Sequence, residues 1–282
     1  MSVGIPSEFA KSRARTEPGR RAAIVWPRFS ARSLTVWRRN ALAWRRHALT
    51  STLANLGEPV LSLFALGLGL GLFVSRIGRY SFLEFIGPGL LAGSAMTWIT
   101  YDVTYGCYDR LHWSRAYHAM IASPLSVGEM VAGEFIWQAT RTTLFGLGFL
   151  GILALFGIVQ GPWAIPGTVL VTLLTSLIFT GPAIAVGAAA RVEEQLSYYF
   201  NLAITPMFYF SGVFFPLETL GPAVQQVAQL LPLYHLVELS RAFILGTPLT
   251  GMTSHLLWLA VFTLVACALP GRLLRDALER IA

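Results

Sequence analysis

Lysine is almost missing from this 282-residue chain: of 21 basic residues, 20 are arginine, and Lys11 is preceded by Ala10. A Walker-type phosphate loop needs Gly-Lys-Ser/Thr, so no ATP site of that kind can form. Charge is scarce as well, at 12% against 55% hydrophobic residues and a mean hydropathy of +0.60. A soluble domain carries about 25% charged residues, and so apolar a chain cannot hide its surface in one water-soluble core. A bilayer can cover it. The two cysteines, Cys107 and Cys267, lie in or beside apolar runs and suggest no disulfide framework. His-Glu-x-x-His, Cys-x-x-Cys and Gly-x-Ser-x-Gly are absent, and the five histidines are scattered.

What is present is a basic flank on an apolar body. The net charge is +7, and eleven basic residues precede position 50. Such clustering is the positive-inside pattern of membrane proteins and argues against a nucleic-acid surface. Residues 1–28, with Pro6, Pro18 and Gly19, read as a basic flexible cytoplasmic tail, with no early apolar core of a signal peptide. In Phe29–Leu49, Leu34, Trp37, Ala41 and Trp44 recur at helical spacing while Arg38, Arg39, Arg45 and Arg46 point elsewhere. The spacing predicts a basic amphipathic helix lying in the headgroup layer. A merely solvated basic helix is the plainer alternative.

Six apolar segments follow. At 1.5 Å per residue, about 20 residues cross the hydrocarbon. The predicted spans are Leu56–Val74, Phe85–Gly106, Val131–Ile158, Pro166–Ala188, Tyr198–Phe215 and His255–Gly271. With the N-terminus inside, 17 basic residues fall in cytoplasmic segments and three in outer loops. Both termini are therefore expected in the cytoplasm. Gly67 and Gly71, and Gly89 and Gly93, have the spacing that lets helices approach closely in lipid.

Three places stand out as functional candidates. After the second span, Trp113, Tyr117, Met120 and Ile121 recur at helical spacing, beside Arg110 and Arg115 and ahead of Pro124. This predicts a short amphipathic helix that either docks in a partner's groove or packs against lipid. Within the spans, Asp102, Glu134, Gln138 and Arg141 are polar residues where charge is expensive. Glu134, Gln138 and Arg141 share one face, so Gln138 could bridge a Glu134–Arg141 pair, or Asp102 could pair with Arg141 across helices. Both a packing network and a polar lining are open. Between spans five and six, Pro216–Pro248 is too polar to span and too apolar for an open loop. Pro222 and Pro232 divide it into short helices half-inserted at the outer leaflet, and Pro216, Pro232, His235, Glu238 and Arg241 mark it.

These pieces, in this order, resemble the ABC-2 family of export permeases, and within it the nodulation-type branch (permeases resembling nodulation protein J), which exports lipo-chitin oligosaccharides. The resemblance rests on VWRRNALAWRRHALTSTLANLGEPVLSLFALGLGLG at 36–71, GSAMTWITYDVTYGCYDRL at 93–111, GEMVAGEFIWQATRTTL at 128–144 and TPMFYFSGVFFPLETLGPAVQQVAQLLPLYHLVELSRAFILG at 205–246. It covers most of the chain beyond residue 30. The chain departs from the branch in its longer basic tail and in Tyr234, Val237 and Glu238 beside His235. The resemblance implies an all-α membrane protein, with 29–282 as one ABC-2 transmembrane domain. It implies two permease copies paired with two copies of a separate ATPase that holds ATP and magnesium, in a bacterial inner membrane. It makes Arg110, Trp113, Arg115, Tyr117, Met120 and Ile121 the ATPase-coupling helix, Trp37, Arg38, Arg39 and Trp44 part of an interfacial helix, and 216–246 re-entrant outer helices. The implied substrate is amphipathic: a lipo-oligosaccharide, a glycolipid or a hydrophobic drug. Two other readings stand beside it, a non-transporting scaffold and an intramembrane glycan-lipid enzyme using Asp102 and Glu134.

Overall fold

The structure is a computed structural model that describes residues 25–74, 76–248 and 251–281. Of the basic tail, residues 1–24 lie outside the described residues. The described residues are helical almost throughout, with one short hairpin among them, Arg76–Ile77 (β1) against Tyr80–Ser81 (β2), paired antiparallel. In a bilayer this follows from the backbone: every N–H and C=O at that depth must be satisfied within its own segment.

The region 29–49 is not one helix. Helix α1 (Ser33–Arg45) ends at Arg46 and His47, and α2 (Ala48–Ser62) starts the first apolar segment eight residues before the predicted Leu56. The first apolar segment then widens through a π turn at Leu63–Gly69 and tightens in a 3-10 turn at Leu70–Leu72. Helix α3 (Phe82–His112) and helix α5 (Val127–Leu155) both begin with a capping box, Ser81 with Glu84 and Ser126 with Glu129. Each serine accepts from the N3 backbone while the glutamate returns to the cap N–H, satisfying two orphan donors. The short α4 (Ala116–Ile121) lies between them.

Helix α6 (Ala164–Ala189) is apolar all round, as a central helix must be. It packs against α3, α5, α10 (Pro232–Leu245), α11 (Met252–Ala268) and α12 (Pro270–Ile281). The fifth apolar region is composite: α7 (Glu194–Tyr199), a π turn at Phe200–Ile204, and α8 (Thr205–Phe210). It ends at Phe210 rather than Phe215, because Ser211–Phe215 bends back toward α3. There Gly89 and Gly93 matter: a Cβ at Gly89 would come within 2.9 Å of the Val213 carbonyl, and one at Gly93 within 2.6 Å of the Phe208 ring. Their spacing serves close packing inside the chain. Beyond the bend come a 3-10 turn (Leu217–Thr219), α9 (Pro222–Gln229) and α10; both α9 and α10 open on proline, where the missing N–H costs nothing.

Among the described residues, four helical stretches are long and apolar enough to cross a membrane: Ala48–Leu72, Phe82–His112, Ala164–Ala189 and Met252–Arg280. Helix α5 has the length but carries Glu129, Glu134 and Arg141, and the fifth region is broken into shorter pieces. The architecture is that of an all-α membrane protein.

Candidate functional site

At one end of the bundle, three residues from three helices meet. Arg110, near the end of α3, donates from Nε to the Tyr117 hydroxyl of α4 at 3.0 Å. Its Nη2 lies 3.4 Å from Glu134 Oε2 on α5, an ion contact without hydrogen-bond geometry. Tyr117 donates to Glu134 Oε1 at 3.4 Å. Glu134 and Tyr117 are buried and Arg110 is nearly so. Burial lifts the Tyr117 hydroxyl well above the usual phenol range, against the pull of Arg110, so it stays a donor. Of the two pairings for Arg141 that the sequence leaves open, the one with Glu134 does not form. Residues seven apart stand about 10.5 Å apart along a helix, and each found a closer partner on another element.

The cluster also decides which way α4 faces. Tyr117 and Met120 are buried, whereas Trp113 (72% exposed) and Ile121 point outward. The apolar stripe predicted from all four residues is therefore split. Trp113 is not in α4 at all but caps α3, and the turn that separates them passes through Arg115 at φ 50°, the single non-glycine residue in the left-handed region among the described residues. That kink rotates α4 relative to α3, which a uniform 3.6-residue spacing cannot foresee.

Arg141, half-way along α5, occupies a second cluster. Its Nη1 meets Asp102 Oδ2 of α3 at 2.9 Å, and Gln138 Nε2 donates to the same oxygen at 2.8 Å. Its Nη2 donates to Ser51 of α2 at 3.3 Å. Three tryptophan rings surround the guanidinium, Trp98 at 4.6 Å, Trp137 at 5.6 Å and Trp44 at 5.9 Å. Cation–π attraction of this kind helps hold a charge away from water. Asp102 and Glu134 are thus committed to different cations in different clusters. They do not converge as the two carboxylates of an acid–base site would.

The aromatic face of α1 turns to the protein. Trp37 Nε1 donates to Thr140 at 3.2 Å, Trp44 stacks edge-on against Trp137 at 6.0 Å, and Val36 sits where a Cβ on Gly133 would be, at 2.5 Å. Leu34, placed in the same stripe by spacing, is exposed, as are Arg38 and Arg39. Ser30 adds a tie the spacing did not reveal, donating to Glu129 Oε1 at 2.7 Å.

At the opposite end of α3, Arg241 of α10 is enclosed. It pairs with Glu238 at 2.9 Å and donates to the carbonyls of Phe85, Gly212 and Val213, with its guanidinium 3.8 Å over the Phe85 ring. Pro216 precedes the 3-10 turn and Pro232 opens α10. His235 Nε2 lies 2.9 Å from the Gln229 carbonyl, and its Nδ1 lies 2.8 Å from His255 Nδ1 on α11. A carbonyl only accepts, so His235 carries its proton on Nε2, and His255 donates to its bare Nδ1. Burial and the second imidazole bring His235 down to about 4. His255 was missed in the sequence because nothing in a twenty-residue separation indicates a contact. Among the described residues, no group of three His, Cys, Asp or Glu could hold a metal.

Comparison with known proteins meets this geometry at the level of the whole chain. Residues 32–245 match the ABC-2 type transporter family. Nodulation protein J of Rhizobium leguminosarum bv. viciae is 38% identical over 248 residues, covering 88% of this chain and 95% of its own length. Nodulation protein J of Rhizobium meliloti (strain 1021) is 37% identical over 87% of this chain and 93% of that protein. The inner membrane transport permease YadH of Escherichia coli (strain K12) is 26% identical over 61% of this chain and 68% of that protein. With the family pattern running from α1 through α10 and so covering all three clusters, the chain belongs to the ABC-2 type transporter family of membrane permeases and is not an enzyme.

Proposed function

We propose that the chain is the transmembrane permease subunit of an ATP-driven exporter that moves an amphipathic substrate out of the cytoplasm or the inner leaflet. Two copies span a bacterial inner membrane with six helices each, both termini cytoplasmic, and two separate ATPase subunits supply ATP and magnesium. The 216–246 segment forms re-entrant outer helices. A lipo-oligosaccharide is the favoured substrate, because relatives covering nearly the whole chain are nodulation J proteins; a glycolipid or hydrophobic drug is the alternative.

One observation carries the reading. The exposed Trp113–Ile121 surface is not a free loop: Tyr117 ties it through Arg110 and Glu134 to two long helices at once. A push on Trp113 or Arg115 by an ATPase reaches α3 and α5 together. The test is the permease and its ATPase in proteoliposomes. Trp113→Ala and Arg115→Glu leave the complex intact on size exclusion but separate ATP hydrolysis from substrate efflux. Coupled efflux at the unaltered rate in both variants overturns the assignment.

A further inference from the structure

Arg241 and its neighbours wall a cavity of about 410 Å³, within the size range of small-molecule sites. It lies where the start of α3, the Gly212–Glu218 turn and α10 come together. Leu217, Leu245, Pro216 and Pro248 make its apolar side, and Tyr80, Phe85 and Tyr234 its aromatic one. Glu218 and Glu238 supply two carboxylates. Both bear on the same ring: after burial, Glu238 and Glu218 are what push the Tyr234 phenol upward.

The charge left over in the wall is negative, beside the neutral hydroxyls of Tyr80, Tyr234 and Thr247. Arg241 is the one cation among the residues lining the cavity, and four of its five N–H groups already have partners, on Glu238 and on the carbonyls of Phe85, Gly212 and Val213, with the Phe85 ring against its face. Its charge is already met by Glu238. The Glu218 carboxylate has no ion-pair partner among the described residues, and Glu238 uses only Oε1 on Arg241. Arg79 stacks on one face of Tyr80 at 4.9 Å, outside the wall. Among the described residues, no guanidinium stacks on the Tyr234 ring.

We propose that this cavity binds an ammonium group carried on an amphipath. The carboxylates of Glu218 and Glu238 accept its protons, the Tyr234 ring faces its charge, and the leucine and proline wall takes the adjoining alkyl chain. Two sources share this chemistry, the aminoethyl headgroup of a membrane phospholipid and the amine of a transported molecule. Arg79 at the rim separates them, since a headgroup brings a phosphate beside its ammonium. That the cavity opens at the outer end rests on the orientation proposed above; the binding chemistry does not.

The test uses the full chain delipidated in a non-ionic maltoside detergent, with calorimetry for soluble probes and native mass spectrometry for lipids. Octylamine binds and octanol does not. Glu218→Gln, an exposed and unpaired position that leaves folding intact, weakens octylamine about tenfold, as loss of one charge-assisted contact does. Glu238→Gln, which keeps the acceptor toward Arg241, weakens it by a similar factor, and Arg79→Gln does not. Retention of phosphatidylethanolamine over phosphatidylglycerol, lost in both Arg79→Gln and Glu218→Gln, assigns the lipid source. Octylamine binding without lipid selectivity assigns the transported amine. Equal binding of octylamine and octanol, or unchanged affinity in both glutamine variants, overturns the proposal. None of these readouts needs ATP hydrolysis or efflux, so their failure is distinct from failure of the exporter reading.

Discussion

Replacing Arg110 by methionine leaves the Glu134 carboxylate, 1% exposed, with only the Tyr117 hydroxyl at 3.4 Å. An unpaired buried charge costs about 3–5 kcal/mol. The loss for Arg110→Met falls in that range. Glu134→Leu strands the guanidinium instead. It is 17% exposed and reaches some water, so its loss falls at about 3 kcal/mol. The double replacement removes both charges and fills the space with apolar atoms, and costs about 1–2 kcal/mol. A double-mutant cycle then gives a coupling energy of about 4 kcal/mol or more, above the usual range for residues in contact. The measurement is reversible unfolding in mixed micelles, followed by near-ultraviolet circular dichroism. The parallel cycle between Glu134 and Arg141, which share no partner, is additive within about 0.5 kcal/mol. Additivity in the first cycle together with coupling in the second would refute this pairing.

Other expectations follow from single contacts. Gly133→Leu, with Val36 already 2.5 Å from where its Cβ must sit, pushes α1 off α5 and speeds tryptic cleavage at Arg38 and Arg39; cleavage at the unaltered rate would contradict the packing. Arg115→Gly relieves the left-handed residue at φ 50° and stabilises the fold by about 1 kcal/mol, read as a higher melting temperature. His235 holds a lowered pKa of about 4, so the unfolded chain binds the proton first as pH falls below about 6.5. Stability is full above that pH and is lost between it and about 4. Tyr234, Trp258 and the Gln229 carbonyl also border the ring. His235→Gln flattens the pH dependence of the melting temperature, and an unchanged slope would exclude this group as its source.

Much of the fold was readable one helix at a time. Apolar length marked the four stretches long enough to cross a membrane among the described residues, and Pro222 and Pro232 marked two helix starts. The site was less so, because its contacts depend on how helices rotate about one another. Charge alone permitted Arg141 to pair with Glu134 or with Asp102; only the placement of α3 beside α5 and of α2 with Ser51 selects Asp102. Trp113 and Tyr117 shared an apparent stripe until the turn at Arg115 broke it. The tryptophans of α1 suited a headgroup layer by composition, yet Thr140 and Trp137 sit closer and take them.

The π turns at Leu63–Gly69 and Phe200–Ile204 give two of the helices a tolerance for changes in length. A π turn holds one residue more than the α-helical path between the same ends. Losing one residue there can return the segment to α geometry while the flanking faces keep their bearings. The same loss within α6 would swing everything after it by about 100° and draw it back by about 1.5 Å. Single-residue deletions should therefore be accepted in the first and fifth apolar regions and rejected in the central helix, so the permease can vary in length at its periphery while its centre stays fixed in register.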